Sequence, residues 1–260
     1  MTPRIAIQLA SLRQPLKKAL VTAARLGAAG VEIDARGELK PRDLSATALR
    51  QFRGLLDELN LRVAAVSFNT RRGYDVPDEL ERRVAATKEA MRFAQALGAG
   101  VVINQIGRIP GEPQGQAWDL LVQSLSDLGQ FGQHVGAMLA AQTGTESGAD
   151  LARLIQALPE HSIGVDLDPG SLIVNDFSPL EAVQSVGPSI MHIHARDGVR
   201  DFGRGRGVEV PLGRGSADFA ALLGALEEHN YRGYITVARE GAADPVAEAS
   251  DAVSYLKGLF

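Results

Sequence analysis

The chain has 260 residues with 45% hydrophobic and 22% charged side chains, the balance of a soluble globular protein, and its net charge of −4 argues against a general nucleic-acid binder. It contains no cysteine, which excludes disulfides and thiolate metal sites. No apolar run reaches the ~18–20 residues of a membrane span, and the first residues turn polar too early for a signal peptide, so we expect a cytoplasmic protein with a small-molecule ligand.

A recurring pattern predicts helices that alternate with strands. An amphipathic segment ends near a glycine, and a short β-branched run follows almost at once. The pattern occurs at residues 25–33, 96–103, 134–141 and 230–237. Glycine just past a helix supplies the left-handed residue that closes the last turn, and the chain then enters a strand. Apolar residues at helical spacing, such as Leu121, Leu125 and Leu128, support the helices.

Eight strands are predicted, each followed by a helix-compatible segment, the last of which covers residues 245–259. The strands lie near Ile5–Leu9, Gly30–Ile33, Val63–Phe68, Val101–Asn104, Met138–Gln142, Ile163–Asp168, Met191–Ala195 and Tyr234–Val237. Eight alternating units of this length favour a closed (β/α)8 TIM barrel over an open sheet. No linker divides the chain and no GxGxxG motif follows the first strand. We therefore expect a single α/β domain over residues 1–260 and no dinucleotide-binding fold.

Polar residues at the carboxyl ends of these strands are the candidate site, because barrel enzymes build their sites there. His192 and His194, within IMHIHARD, share one face of the seventh strand, and Asp166 and Asp168 share one face of the sixth. Carboxylate and imidazole on neighbouring strand ends suit Mn, Zn or Fe, and a site richer in oxygen suits Mg. Two ordinary core histidines, with Asp168 as a turn former before Pro169, are the alternative.

Five segments carry a family resemblance, in the same order along nearly the whole chain. They are GVEI at 30–33, GVDLDPGSL at 164–172, HIHARD at 192–197, PLGRGSADF at 211–219 and YRGYITVARE at 231–240. They resemble the xylose-isomerase-like barrel family, which includes sugar epimerases, sugar-phosphate isomerases and the endonuclease IV group. The resemblance implies a barrel that acts on a small carbohydrate, without specifying which one.

The resemblance also implies a metal site that this sequence retains only in part. Family members hold a divalent metal with glutamates ending strands five and eight, an aspartate ending strand six and a histidine ending strand seven. In the epimerases the two glutamates also exchange protons with the sugar. The aspartate and histidine fall on Asp168 and His194, but the glutamates fall on Gln142 and Ala238. Since glutamine is no base near neutral pH and alanine is no ligand, we expect weak or absent binding of Mn, Mg or Zn.

An arginine cluster follows the seventh predicted strand, within the longest irregular stretch, residues 198–215. It consists of Arg196, Arg200, Arg204, Arg206 and Arg214. Guanidinium groups match phosphate or carboxylate oxygens, and barrels often bind phosphate in the loops after strands seven and eight. The cluster therefore favours an anionic substrate such as a sugar phosphate or sugar acid. The alternative is a solvated loop whose aspartates pair some of these charges.

The sequence thus predicts a sugar or sugar-phosphate isomerase or epimerase that transfers a proton next to a carbonyl, with impaired or absent metal catalysis. The candidate catalytic residues are His194, Asp168, Glu32 and Glu240, although a solvated Glu240 beside Arg239 is the favoured alternative for that residue. The candidate substrate-binding residues are Asn104, Gln142, His192, Arg196, Asp197 and Arg214. A noncatalytic carbohydrate-binding or regulatory barrel is the second hypothesis, and a homo-oligomer is compatible with the sequence. We expect His194→Ala to lose ligand affinity with little loss of stability.

Overall fold

Eight parallel strands close into a barrel in the computed structural model, which describes residues 4–201 and 207–260. The barrel strands are Arg4–Gln8 (β1), Gly30–Asp34 (β2), Arg62–Ser67 (β3), Val101–Asn104 (β4), Met138–Gln142 (β5), Gly164–Leu167 (β6), Ile190–Ala195 (β7) and Tyr234–Val237 (β10). Closure comes from the pairing of β10 with β1. The predicted (β/α)8 fold and all eight predicted strands are confirmed, with ends that differ by one residue at most.

Helices cover the outside of the barrel. Those of the described residues are Leu16–Arg25 (α1), Ala46–Glu58 (α2), Leu80–Leu97 (α3), Gln116–Val135 (α4), Gly148–Ala157 (α5), Pro169–Val174 (α6), Pro179–Val186 (α7), Phe219–Glu228 (α8) and Pro245–Lys257 (α9). Serine or aspartate side chains cap several of their first turns, for example Ser45 at α2 and Asp244 at α9. Gly98 and Gly136 close α3 and α4 at φ of 81° and 83°, the left-handed conformation that the glycine pattern predicted.

A small antiparallel hairpin lies outside the barrel, formed by Asp197–Val199 (β8) and Val208–Val210 (β9). The prediction that residues 198–215 are irregular is wrong at these two strands. The β-branched valines that pair across the hairpin are few and are interrupted by glycine and arginine, so no strand pattern stands out in the sequence. Two members of the predicted arginine cluster, Arg204 and Arg206, lie outside the described residues.

The interior of the barrel changes character along its axis. Ala6, Ala64 and Tyr234 form an apolar cluster toward the amino ends of the strands, whereas buried polar side chains gather toward the carboxyl ends. The large hydrophobic core lies between the barrel wall and the helices. The barrel therefore presents one polar end, where a site can form.

In the described part of the chain no helix combines the length and apolar character needed to cross a lipid bilayer.

Candidate active site

A cavity of about 740 Å³ opens at the carboxyl ends of the barrel strands. Its volume falls within the range of pockets that bind small molecules. The side chains that line it include Gln8, Glu32, Gln142, Glu146, His194 and Arg196. A lining so rich in hydrogen-bonding groups suits a ligand with many hydroxyl groups.

A continuous chain of buried hydrogen bonds crosses the barrel beneath this cavity. The two ring nitrogens of His194 each lie 2.7 Å from a carboxylate oxygen, Nδ1 from Asp166 and Nε2 from Glu32. His192 Nδ1 lies 2.8 Å from the second oxygen of Asp166, and its Nε2 lies 2.7 Å from the hydroxyl oxygen of Thr236. Because carboxylates only accept hydrogen bonds, His194 carries a proton on both nitrogens and is an imidazolium.

The charges of this chain stabilise one another. Burial alone would lower the pKa of His194, but the carboxylates of Asp166 and Glu32 outweigh it and raise that pKa well above 6.5. Burial alone would raise the pKa of Glu32, yet the imidazolium holds it below 4.5. Asp166 behaves in the same way, and its pKa falls well below 3.8. The site therefore contains two buried carboxylates around one buried cation.

Strand alternation and register produce this arrangement. His192 and His194 face the same way on β7 because they are two residues apart, and Asp166 is paired with His192 across β6 and β7. Gln8 is paired with Glu32 across β1 and β2, and its Nε2 donates to Glu32 Oε1 at 2.8 Å. The sequence placed Asp166 among the polar residues at the strand ends, on one strand face with Asp168, but it gave Asp166 no catalytic, binding or metal role.

A second charged cluster surrounds Arg196, which also lines the cavity. Its guanidinium contacts three carboxylates: Asp168 at 3.2 Å, Glu209 at 2.9 Å and Glu240 at 3.1 Å. The side chains of Asp168 and Glu209 are 0% and 17% exposed, whereas that of Glu240 is 79% exposed. Arg239 binds the other oxygen of Glu209 at 2.7 Å. Sequence reasoning missed Glu209 because it lies on the unrecognised hairpin.

Hydrogen-bond donors surround Asp168. Its Oδ1 accepts from the backbone N–H of Ser171 and caps α6, as expected for an aspartate before Pro-Gly. Its Oδ2 accepts from the Ser171 hydroxyl at 2.8 Å, from Gln142 Nε2 at 3.2 Å and from Arg196 at 3.2 Å. Asp168 is thus a buried anchor for Gln142 and Arg196, and its side chain is not exposed to the cavity.

Glu146 is a further acidic group of the cavity that the sequence did not point to. It lies in the short loop between β5 and α5, and its Oε2 accepts from the hydroxyl of Thr145 at 2.6 Å. Burial raises the pKa of Glu146 above 4.5, against the lowering effect of that hydrogen bond. Glu146 therefore differs from Glu32, whose pKa is lowered within the same cavity. A carboxylate soon after a barrel strand was the only available signal.

The other predicted binding residues lie away from the cavity lining. Asn104 is fully buried, accepts from the backbone N–H of Thr70 and donates to the hydroxyl of Tyr74. Arg214 is exposed in the loop after β9. Asp197 is buried, and its two oxygens accept four backbone N–H groups, those of Gly198, Gly213, Gly215 and Ala217. That pattern organises the loop that follows the hairpin.

We expect Asp197→Ala to lower the free energy of unfolding by about 2–3 kcal/mol, because the change leaves four backbone N–H groups without their acceptor. Urea denaturation provides the measurement, and Asp251→Ala, which removes an exposed aspartate on α9, is the control. Equal stability of the two variants would contradict this role for Asp197.

A metal ion is one conceivable occupant of the buried chain. Ligand atoms of Glu32, His192 and His194 lie within 4.8 Å of one another, so these three residues could hold one ion. Histidine ligates a metal only through a free nitrogen lone pair, and the ring nitrogens of both histidines already have hydrogen-bond partners in Asp166, Glu32 and Thr236. A metal ion bound by these three residues would therefore have to replace at least one of these hydrogen bonds.

Comparisons with known proteins place this geometry in context. The family model for the xylose isomerase-like TIM barrel matches residues 20–259. An inosose dehydratase from Clostridium botulinum (strain Alaska E43 / Type E3) is 24% identical, over 93% of this chain and 88% of its own. A solved L-ribulose 3-epimerase has a TM-score of 0.79 at 18% identity, over 99% of this chain and 94% of its own.

Another solved structure, a xylose isomerase-like TIM barrel protein from Mycobacterium smegmatis in complex with magnesium, has a TM-score of 0.78 at 18% identity. The alignment covers 99% of this chain and 96% of that one. At such identities the structural likeness shows a shared fold.

Proposed function

The chain belongs to the xylose isomerase-like TIM barrel family, and from this we propose that it binds a small polyhydroxylated ketone and transfers a proton at the carbon next to the carbonyl. The proposal rests on two glutamates that line the same polar cavity and whose pKa values are shifted in opposite directions. The pKa of Glu32 is lowered and that of Glu146 is raised. Such pairs commonly divide into a base and an acid. Epimerisation of a ketose and dehydration of an inosose can both begin with this proton transfer.

The two glutamates take different roles. Glu32, held ionised by His194, removes the proton from the carbon, and the electron pair of that C–H bond moves onto the carbonyl oxygen to form an enolate. Glu146, held toward its protonated form, returns a proton to the carbon from the other side or protonates a departing hydroxyl group. The first outcome is epimerisation and the second is dehydration.

Arg196 stabilises the negative charge that develops on the carbonyl oxygen. Its guanidinium lines the cavity and is held by buried Asp168 and Glu209, so it is oriented before the substrate arrives. Asp168 and Glu240 act through Arg196, as positioning residues rather than as acid and base. Asp166 and His192 position His194 in the same way.

Metal binding is weak or absent in this proposal. His194 and Arg196 already neutralise the carboxylates that a dication such as Mn, Mg or Zn would need, and Gln142 and Ala238 provide no carboxylate. The ligand is a sugar or a related cyclic polyol. Neither a nucleic acid nor a membrane is needed for this function, and the oligomeric state has no part in it.

Incubation in D2O tests this function. We expect the protein, in the presence of a chelator, to incorporate deuterium next to the carbonyl of at least one of D-fructose, L-ribulose and an inosose, as followed by NMR. Glu32→Gln and Glu146→Gln should slow the exchange about 10²–10⁴-fold, because each removes a proton-transfer group. Glu38→Gln is the control, since burial raises the pKa of Glu38 to about 7 but its side chain does not line the cavity. Exchange that is absent, or that depends on added metal, would refute this mechanism.

A noncatalytic carbohydrate-binding barrel is the second candidate function. This alternative is favoured by the hydrogen bonds of Glu32. Both of its carboxylate oxygens already accept a hydrogen bond, one from Gln8 and one from His194, which leaves Glu32 less available as a base. An increase in Tm on adding a ketose, without deuterium incorporation, would select this alternative.

A further inference from the structure

A second concave surface lies beside the cavity, between the loop after β2 and the first turn of α3. We call it the arginine groove and define it by Arg36, Arg71, Arg72, Arg82 and Arg83. Its volume is about 410 Å³, which is sufficient for a small molecule. The proposed function makes no use of it.

The charges of the groove are only partly balanced. Its lining contains two carboxylates, Asp78 paired with Arg72 and Glu79 paired with Arg82 at 3.1 Å. The remaining three guanidinium groups have no carboxylate partner within residues 4–201 and 207–260. Five arginines and two carboxylates leave a local charge of +3, in a chain whose net charge is −4. The positive charge is therefore concentrated here and does not reflect the general composition of the surface.

Arg36 is held in place without being neutralised. It donates to the backbone carbonyl of Asn69 at 2.6 Å, and its guanidinium lies 5.4 Å from the centre of the Phe68 ring. A carbonyl and an aromatic ring orient a cation but leave its full charge available.

Arg83 and Arg71 are likewise not neutralised by a carboxylate of the described residues. Arg83 donates to the backbone carbonyls of Val76 and Asp78, while its Nε is buried and has no hydrogen-bond partner. The exposed side chain of Arg71 makes no hydrogen bond or ion pair with any described residue. The exposed guanidinium of Arg71 therefore offers the groove N–H donors that no described residue uses.

We infer that the arginine groove binds the phosphate group of a small phosphorylated molecule. Guanidinium forks match the oxygens of phosphate, and a local charge of +3 suits a dianion better than a singly charged carboxylate. The groove also lies at the start of α3, where the helix carries partial positive charge. This assignment goes beyond the proposed function and does not depend on it.

The phosphate has two conceivable sources with the same chemistry. The groove and the cavity share the segment Phe68–Thr70, because Phe68 and Thr70 line the groove and Asn69 lines the cavity. The phosphate belongs either to a molecule whose other end occupies the cavity or to a separate regulatory molecule.

Titration calorimetry with inorganic phosphate, at low ionic strength in a phosphate-free buffer, tests the site. We expect saturable binding to the wild-type protein and affinity at least about tenfold weaker in R36Q/R71Q, which removes two unneutralised guanidinium groups. The matched control is R50Q/R53Q, which removes the same charge from exposed positions on α2 outside the groove and should bind phosphate like the wild type. R71Q alone should also weaken binding, and it removes no hydrogen bond or ion pair to a described residue whose loss would disturb folding.

Fructose 6-phosphate distinguishes the two sources. If one molecule spans both sites, it binds more tightly than inorganic phosphate and the gain is lost in the cavity variant Gln142→Ala. If the ligands are separate, fructose and phosphate bind without affecting each other. Either result supports phosphate binding in the arginine groove. The inference is overturned if the wild-type protein shows no saturable phosphate binding, or if R36Q/R71Q and R50Q/R53Q lose the same affinity. Because these readouts involve no deuterium exchange, they stand or fall separately from the proposed function.

Discussion

Replacing His194 by alanine is expected to lower the free energy of unfolding by about 3–5 kcal/mol at neutral pH, because it removes the cation shared by two buried carboxylates. Glu32 and Asp166 are both fully buried, and each lies 2.7 Å from a ring nitrogen of His194. This expectation reverses the one drawn from the sequence, which foresaw little loss of stability. The measurement is urea denaturation, with His134→Ala, an exposed histidine on α4, as the control.

A second substitution separates lost charge from lost packing. Glu32→Gln should destabilise the wild-type protein, because it removes a partner of the imidazolium, but should stabilise His194→Ala, because it removes an uncompensated buried charge. A change of the same sign in both backgrounds, or a His194→Ala variant as stable as His134→Ala, would refute the ionic role of His194.

The stability contributed by this cluster should depend on pH in two opposite ways. The raised pKa of His194 means that its contribution is complete below about pH 6.5 and is lost as the pH rises through the folded-state pKa. The lowered pKa values of Glu32 and Asp166 mean that their contributions are present above about pH 4.5 and are lost as the pH falls through their folded-state values. The difference in unfolding free energy between wild type and His194→Ala should therefore be largest between those limits. Denaturation curves at pH 4, 6 and 9 would measure it.

Replacing Arg196 by alanine is expected to create a binding site for a divalent cation. The change leaves the carboxylates of Asp168, Glu209 and Glu240 around the position of the former guanidinium. Oxygen clusters of this kind hold Ca²⁺ or Mn²⁺ with Kd values on the order of 10⁻⁴–10⁻³ M when they are weak. Without added metal, the variant should be less stable than the wild type, because Asp168 and Glu209 lose a cation in a buried setting.

Thermal unfolding with and without millimolar Mn²⁺ measures this effect. The Tm of Arg196→Ala should rise with Mn²⁺, whereas the wild type and Arg196→Lys, which keeps a positive charge at this place, should respond little. Strong Mn²⁺ stabilisation of the wild type would show that a dication, and not Arg196, is the natural partner of these carboxylates.

The predictions for His194→Ala and Arg196→Ala share one physical idea. Two permanently placed side-chain cations, His194 and Arg196, balance the carboxylates at the end of this barrel. The proton transfer that we propose depends on the same balance, since His194 keeps Glu32 ionised.

The strands and the barrel were accessible from the sequence because their signals are local. Glycine after a helix and a β-branched run after the glycine are each read within about ten residues, and the structure confirms every strand that they predicted. The alternation of β7 also placed His192 and His194 on one face. Loops gave weaker signals: Glu146 and the hairpin residue Glu209 lie in segments without any recognisable period.

The amino-acid sequence by itself thus determined the fold and the kinds of chemical groups that end each strand. Only the tertiary structure decided which of them meet. Glu32 and His194 are 162 residues apart. Asp166 rather than Asp168 contacts His194, because Asp168 lies just beyond the end of β6 and its side chain caps α6. The physical reason is that strand alternation sets the face on which a side chain lies. A 2.7 Å hydrogen bond, and the protonation state that follows from it, depend on strand register and loop path, to which distant parts of the chain contribute together.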